Sequence, residues 1–398
     1  MWKYSPLKTV LILGPMVFAF ALAMDVYMPV LPDMKESLNT TQSMVQVTLS
    51  LFLIVTGVGQ LFLGPLSDQF GRFKIMLLST LLFLLGSVLC ALSPNIESLI
   101  VSRVIQAFGC CGMSVVAFAV VRDAYSGKKS SMIYSFINAI ISISPILGPL
   151  IGVILTTYFS WQSAFVFLSI LALFSVLMTV FFVKESLPVE RRKKVSMTIF
   201  SRYLTVTKSL QFWAYSLTAV SGMSSFFILF SMTPYIINYL GYPISKIYIM
   251  FGLAGVAYLV GSIFSGFIVN ILGVRRTALL GVGCIFFAGI LSSFVYFVSG
   301  LSLWGFFAPC FFATFGCALT SGTGASGSME PFFEIAGVAS AMFGTLEFSI
   351  SGLVGSVAML FPATTNLPIA ISMLVMSSLT FILLLILGRN EESRVLTK

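Results

Sequence analysis

Not one histidine occurs among the 398 residues, and only 9% of them are charged. Without imidazole the chain lacks the side chain that titrates nearest neutrality, so any proton chemistry has to run through carboxylates. The low charge, against roughly a quarter in soluble domains, excludes a solvated globular protein. Cysteine is scarce as well. Cys90, Cys110, Cys111, Cys284, Cys310 and Cys317 match no disulfide or zinc spacing and fall in apolar runs, where they act as small packing residues. No nucleophile–base pair, phosphate loop or metal-ligand spacing occurs, so an enzyme is not expected, nor a cofactor or metal.

What fills the chain is apolar: 58% of residues, with a mean hydropathy of +1.04. Stretches of about 20 apolar residues, enough to cross a ~30 Å hydrocarbon core as helices, fall near 9–30, 43–65, 75–93, 98–121, 131–157, 163–183, 209–236, 247–271, 277–299, 301–325, 335–361 and 367–388. The pattern predicts an all-α integral membrane protein with twelve spans in two six-helix halves. Residues 1–183 form the first half, 184–208 a cytoplasmic linker and 209–398 the second half. Lys3, Lys8, an apolar core and Ala21-Leu-Ala23 also imitate a secretory leader, but cleavage there would leave the halves unequal.

The net charge of +9 invites a nucleic-acid reading, which the positions of the charges rule out. With the first loop taken as cytoplasmic, all of the 22 Lys and Arg except Lys35, Lys246 and Arg103 fall on the cytoplasmic side. The positive-inside rule then puts both termini in the cytoplasm. Seven basic residues lie in the linker, whose run Glu190-Arg-Arg-Lys-Lys194 precedes a short amphipathic stretch (Ile199, Phe200, Tyr203, Leu204) suited to the membrane surface.

A repeat supports the two halves. Gly64-Pro-Leu-Ser-Asp68-Gln-Phe-Gly71-Arg72-Phe-Lys74 joins two spans, and a weaker copy, Gly266-Phe-Ile-Val-Asn270-Ile-Leu-Gly273-Val-Arg275-Arg276, follows at an offset of 202. Such repeats are typical of secondary transporters. Pro32 and Pro234 share the same offset, so a proline bend is expected in both halves.

Three charged residues fall well inside spans: Asp25, Arg103 and Glu347. Each costs on the order of 2.5–3.5 kcal/mol at a helix centre, which makes them functional candidates. Burial disfavours the charged form of Asp25 and suits it to loading and releasing a proton. Arg103 is expected either to take part in coupling or to lock helices through carbonyls or a carboxylate. Glu347 either presents a titratable group to the cavity or stays protonated within its bundle. Tyr27, Met113, Asn138, Phe226 and Phe230 join Asp25 and Glu347 as candidate substrate contacts, chosen by span and depth.

The loop Gly64 to Met76 resembles the loop motif of the major facilitator superfamily, and the resemblance spans essentially the whole chain. Asp25-x-Tyr27-x-Pro29-x-x-Pro32, Val121-Arg122-Asp123 with Ser126-Gly127, Pro145-Ile-Leu-Gly148-Pro149-Leu-Ile-Gly152, Trp161 and Ala336-Gly-Val-Ala-Ser-Ala341 look like the bicyclomycin-resistance (Bcr/CflA) branch of drug:proton antiporters. The resemblance implies a conformational latch of Gly64, Asp68, Gly71, Arg72 and Asp123. In it Asp68 faces a helix N-terminus of the other half, and Arg72 pairs with Asp123. It ties Arg103, with Gln106 and Gly109, to proton transfer, although Ala107 and Cys110-Cys111 depart from the family pattern. Pro145, Gly148, Pro149 and Gly152 match the fifth-span motif associated with exporters, and glycines one turn apart let a neighbouring helix approach. Gln162 and Ala23-Met24 are smaller departures.

The expectation is therefore a proton-driven exporter of small lipophilic or cationic compounds, working by alternating access as a monomer in a bacterial inner membrane. Its partners are its substrate, protons and lipid. The alternative is a proton-coupled nutrient importer on the same fold.

Overall fold

The computed structural model describes residues 2–192, 198–242, 245–361 and 364–396. Of the residues singled out above, Lys193, Lys194 and Lys398 lie outside it, as do the side chains of Lys128, Arg191, Ile199, Phe200, Lys246 and Arg394. The described chain is helical and contains no strand. It divides into two compact units, Met1–Met197 and Thr198–Lys398.

The first unit holds α1 (Pro6–Asp25), α2 (Leu31–Ser37), α3 (Gln42–Phe70), α4 (Arg72–Ala91), α5 (Ile96–Ala124), α6 (Gly127–Tyr158) and α7 (Gln162–Phe182). The second holds α8 (Thr198–Thr207), α9 (Leu210–Tyr239), α10 (Ser245–Ser299), α11 (Leu303–Met329), α12 (Ala336–Ala358) and α13 (Leu367–Leu396). Helix starts follow capping chemistry. The side chains of Ser5, Thr41, Asn95, Ser209 and Ser302 each accept from a backbone N–H three residues on.

Among the described residues, eleven segments are long and apolar enough to cross a membrane. One of them, Ile249–Ser299, is 51 residues long and turns at Gly273 (φ 80°, ψ 168°), so twelve crossings result. Gly71 (φ 97°, ψ 154°) separates α3 from α4 in the same way. The two glycines of the sequence repeat thus share a positive φ that a side chain would strain, and each reverses the chain with no intervening loop.

The prolines behave differently in the two units. After α1 the chain passes through a 3₁₀ turn, Met28–Val30, with Pro29 at its start, and Pro32 lies in the first turn of α2. Pro234, by contrast, sits inside the uninterrupted α9. The chain leaves the helix beside the first of these prolines, whereas α9 continues as a helix past Pro234 and its missing N–H.

Inside each unit the helices pack on small residues, as in lipid, where no hydrophobic force drives helix against helix. In the first unit α1 lies against α5, α6 and α7, and α4 against α5 and α7. A Cβ on Gly109 of α5 would stand 2.3 Å from the backbone nitrogen of Phe83 on α4. In the second unit α9 packs against α11, α12 and α13, and α10 against α11. Large apolar side chains such as Phe181, Ile271, Phe297 and Trp304 point outward, as a lipid-facing surface requires.

Candidate functional site

Asp25 closes α1, is only 5% exposed, and sits where the helix gives way to the 3₁₀ turn. Its Oδ2 accepts from the Ser144 hydroxyl of α6 at 2.6 Å. One turn further along α6, a Cβ on Gly148 would stand 2.3 Å from the Asp25 Cβ, and one on Gly152 would stand 2.2 Å from the Val26 carbonyl oxygen. The fifth-span glycines therefore press α6 against α1 at the embedded carboxyl, with Pro145 and Pro149 buried beside them. Motifs that stand far apart in the chain form one site.

Arg103, on α5, is fully buried. Its Nη1 donates to Gln106 Oε1 at 2.5 Å and to the Ala23 carbonyl of α1 at 3.3 Å. Gln106 in turn donates to the Ser87 hydroxyl of α4 at 2.8 Å. The guanidinium lies 4.4 Å from the Tyr27 ring, 4.2 Å from the Phe52 ring and 5.7 Å from the Phe165 ring. Among the described residues no carboxylate comes within ion-pair distance of it, so three aromatic faces and a carbonyl hold a charge that a carboxylate could have neutralised. Its Nε and Nη2 have no hydrogen-bond partner. Asp25 and Arg103 thus share α1 as a neighbour without bonding to each other.

Tyr27 belongs to this cage: its hydroxyl is hydrogen-bonded to that of Thr48, 2.5 Å away, and its ring is fully buried against Arg103. Met113 is equally buried on α5, whereas Asn138 is exposed on α6. On α9, Phe226 and Phe230 stack with centroids 4.1 Å apart, and Tyr258 and Phe251 of α10 continue the aromatic cluster. Beside Phe230 lies a void of water size, about 10 Å³, bounded by Thr233, Met250 and Thr314. Glu347 is half-buried on α12.

At the α3–α4 turn, Arg72 Nε donates to Asp123 Oδ2 at 2.7 Å, Nη2 to Asp68 Oδ1 at 2.5 Å and Nη1 to the Ser67 hydroxyl. Arg122 approaches Asp68 and Asp123 at 4.0 and 3.9 Å. Gly64 faces only Val115, 3.9 Å from where a Cβ would stand, so packing does not demand a glycine there.

Several participants escaped the sequence reading. Ser144 precedes Pro145 of a recognised motif but carries no signal of its own. Phe52 and Phe165 are two among 39 phenylalanines. Glu185, Ser186 and Arg192, which reach Arg72, Asp123 and Glu185 in turn, were hidden in the charge run of the linker.

Two units of apolar helices, each with a glycine turn of the repeat and with isolated charges in its spans, make a polytopic membrane protein. The chain belongs to the Major Facilitator Superfamily, whose model matches residues 13–356. It is 30% identical over 402 residues to a chloramphenicol resistance protein of Pseudomonas aeruginosa, covering 99% of this chain and 92% of the relative. Multidrug resistance protein D of Escherichia coli strain K12 is 27% identical over 367 residues, with 92% and 91% covered. A crystal structure of a peptide transporter in complex with sulfate superposes with a TM-score of 0.77 at 12% identity, over 97% of this chain and 94% of that one. At that identity the likeness is one of fold.

Proposed function

We propose that the protein is a proton-driven exporter that moves small lipophilic or cationic compounds out of the cytoplasm of a bacterium, as a monomer in the inner membrane with both termini cytoplasmic. The observation that carries this reading is the junction of α1 and α6, where Ser144, Gly148 and Gly152 enclose Asp25. An isolated membrane carboxyl is costly to retain unless it works, and here it is built into the motif that marks exporters. Relatives named for chloramphenicol and multidrug resistance support the same direction and substrate class.

In this scheme a proton and a substrate compete for the site around Asp25. Protonation from the periplasm releases substrate outward, and deprotonation toward the cytoplasm readmits it. The halves 1–183 and 209–398 rock to alternate access, with Arg72, Asp68 and Asp123 latching one state. Phe226 and Phe230 offer adaptable apolar contact to varied ligands.

The test is susceptibility to chloramphenicol and efflux of ethidium in an efflux-deficient bacterial host, with and without a protonophore. Expression should lower susceptibility or speed efflux, and the protonophore should abolish the gain. Protonophore-insensitive efflux would overturn proton coupling, and substrate accumulation on expression would favour an importer.

A further inference from the structure

Gly71 caps the N-terminus of α4 but has no side chain with which to satisfy the first free N–H groups. The missing acceptor comes from the far end of the unit. Glu185, three residues beyond α7, accepts through Oε1 from the Arg72 backbone N–H at 2.9 Å and from the Leu187 N–H at 3.0 Å. Its Oε2 accepts from Arg192 Nη2 at 3.1 Å. The next residue, Ser186, reaches Asp123 Oδ2 at 3.4 Å, the same oxygen that receives Arg72 Nε. Two consecutive residues of the connector thus hold both partners of the Arg72–Asp123 pair.

The fit is tight. A Cβ on Gly71 would stand 2.3 Å from Glu185 Oε2 and 2.7 Å from Arg192 Nη2, so any side chain there would push both ends of the clamp aside, and the positive φ already favours glycine. The repeat supplies an internal comparison. Gly273 has the same backbone conformation, yet a Cβ built on it meets nothing within 4 Å among the described residues. The space that Glu185 and Arg192 fill beside Gly71 is thus open beside Gly273 among the described residues. Its charges balance locally: Asp68, Asp123 and Glu185 against Arg72, Arg122 and Arg192.

We infer that Glu185 and Arg192 are positioning residues for the Arg72 latch, so that the start of the connector between the halves is a working part of it. Glu185 fixes the backbone of Arg72 at the helix N-terminus, where a carboxylate is favoured, and Arg192 fixes Glu185. The guanidinium of Arg72 is then aimed at Asp123 and Asp68 by a segment 113 residues away in the chain. This inference rests on the latch reading under the proposed function.

The full-length protein in proteoliposomes, driven by an imposed proton gradient and probed with ethidium, or with chloramphenicol if ethidium is not moved, tests it. E185A should slow turnover about fivefold or more while leaving equilibrium binding of the probe unchanged, the scale expected for losing a charge-assisted hydrogen bond. R192Q and E185Q should give smaller losses of the same kind and serve if E185A folds poorly. In an R72A background E185A should cost nothing further. A full additional loss there, or a fall in affinity matching the fall in rate, would overturn the inference while leaving the latch intact. Normal turnover in R72A would sink the latch and this inference with it. Hydrogen exchange at the amides of residues 72–75 needs no transported probe. It should quicken in E185A, and unchanged exchange would overturn the clamp directly.

Discussion

Gly148 and Asp25 lie so close that a methyl group on the glycine would stand 2.3 Å from the Asp25 Cβ. The distance joins two features that look independent in the sequence, an acid in the first span and a small-residue motif in the fifth. Because the neighbour of Gly148 includes the Asp25 backbone, which cannot swing away, α6 has to retreat if the glycine is replaced. Gly148→Ala should cost roughly 1–3 kcal/mol, the usual scale of overpacking, and should lengthen the Ser144–Asp25 hydrogen bond. Thermal stability in detergent should fall together with ethidium efflux. Unchanged stability and efflux would mean that the α1–α6 junction is not tightly packed in the membrane.

Asp25→Asn should abolish proton-coupled efflux while the protein still inserts and folds. The amide keeps the shape of the carboxyl and can still accept from Ser144, but it cannot carry a proton. In proteoliposomes the variant should bind substrate yet fail to move it against a gradient when pH is stepped. Normal pH-driven efflux would pass the coupling role to Glu347.

Arg72→Ala and Asp68→Asn should impair turnover more than binding, because both residues act at the α3–α4 turn. Arg72 makes charge-assisted bonds to two carboxylates, each worth about 1.5–3 kcal/mol, so a tenfold loss in rate is the expected order. Binding titrations and transport rates on the same preparations separate the two effects. Affinity lost in proportion to rate would count against a latch.

The fold was legible where physics leaves a strong one-dimensional trace. Runs of apolar residues mark spans because a bilayer demands unbroken helices. The glycines at 71 and 273 stood out because a reversal with positive φ admits little else. Asp25 and Arg103 were visible as solitary charges in oil. What stayed hidden depends on which faces meet in space. Ser144 is an ordinary serine until α6 is laid on α1, and Phe52 and Phe165 are ordinary phenylalanines until Arg103 lies between them. Glu185 looked like one more linker charge, since nothing in its neighbourhood announces that it caps a helix over a hundred residues earlier. Pro32 and Pro234 share an offset, yet only beside the first does the chain leave the helix, because the offset says nothing about whether the surrounding helix tolerates a missing donor.

Glu347 poses the remaining choice between a working charge and a packing group. It is half-buried on α12. A charged carboxylate contributes Coulomb attraction to a cation and none to a neutral ligand; at an effective dielectric of about 20 and a separation of about 6 Å this amounts to roughly 3 kcal/mol. Glu347→Gln, nearly isosteric, should then weaken efflux of ethidium severalfold or more and spare chloramphenicol. A carboxyl that only fills space would leave both untouched. Equal efflux of the two probes in wild type and variant would remove Glu347 from the substrate site and leave recognition of cations to Asp25.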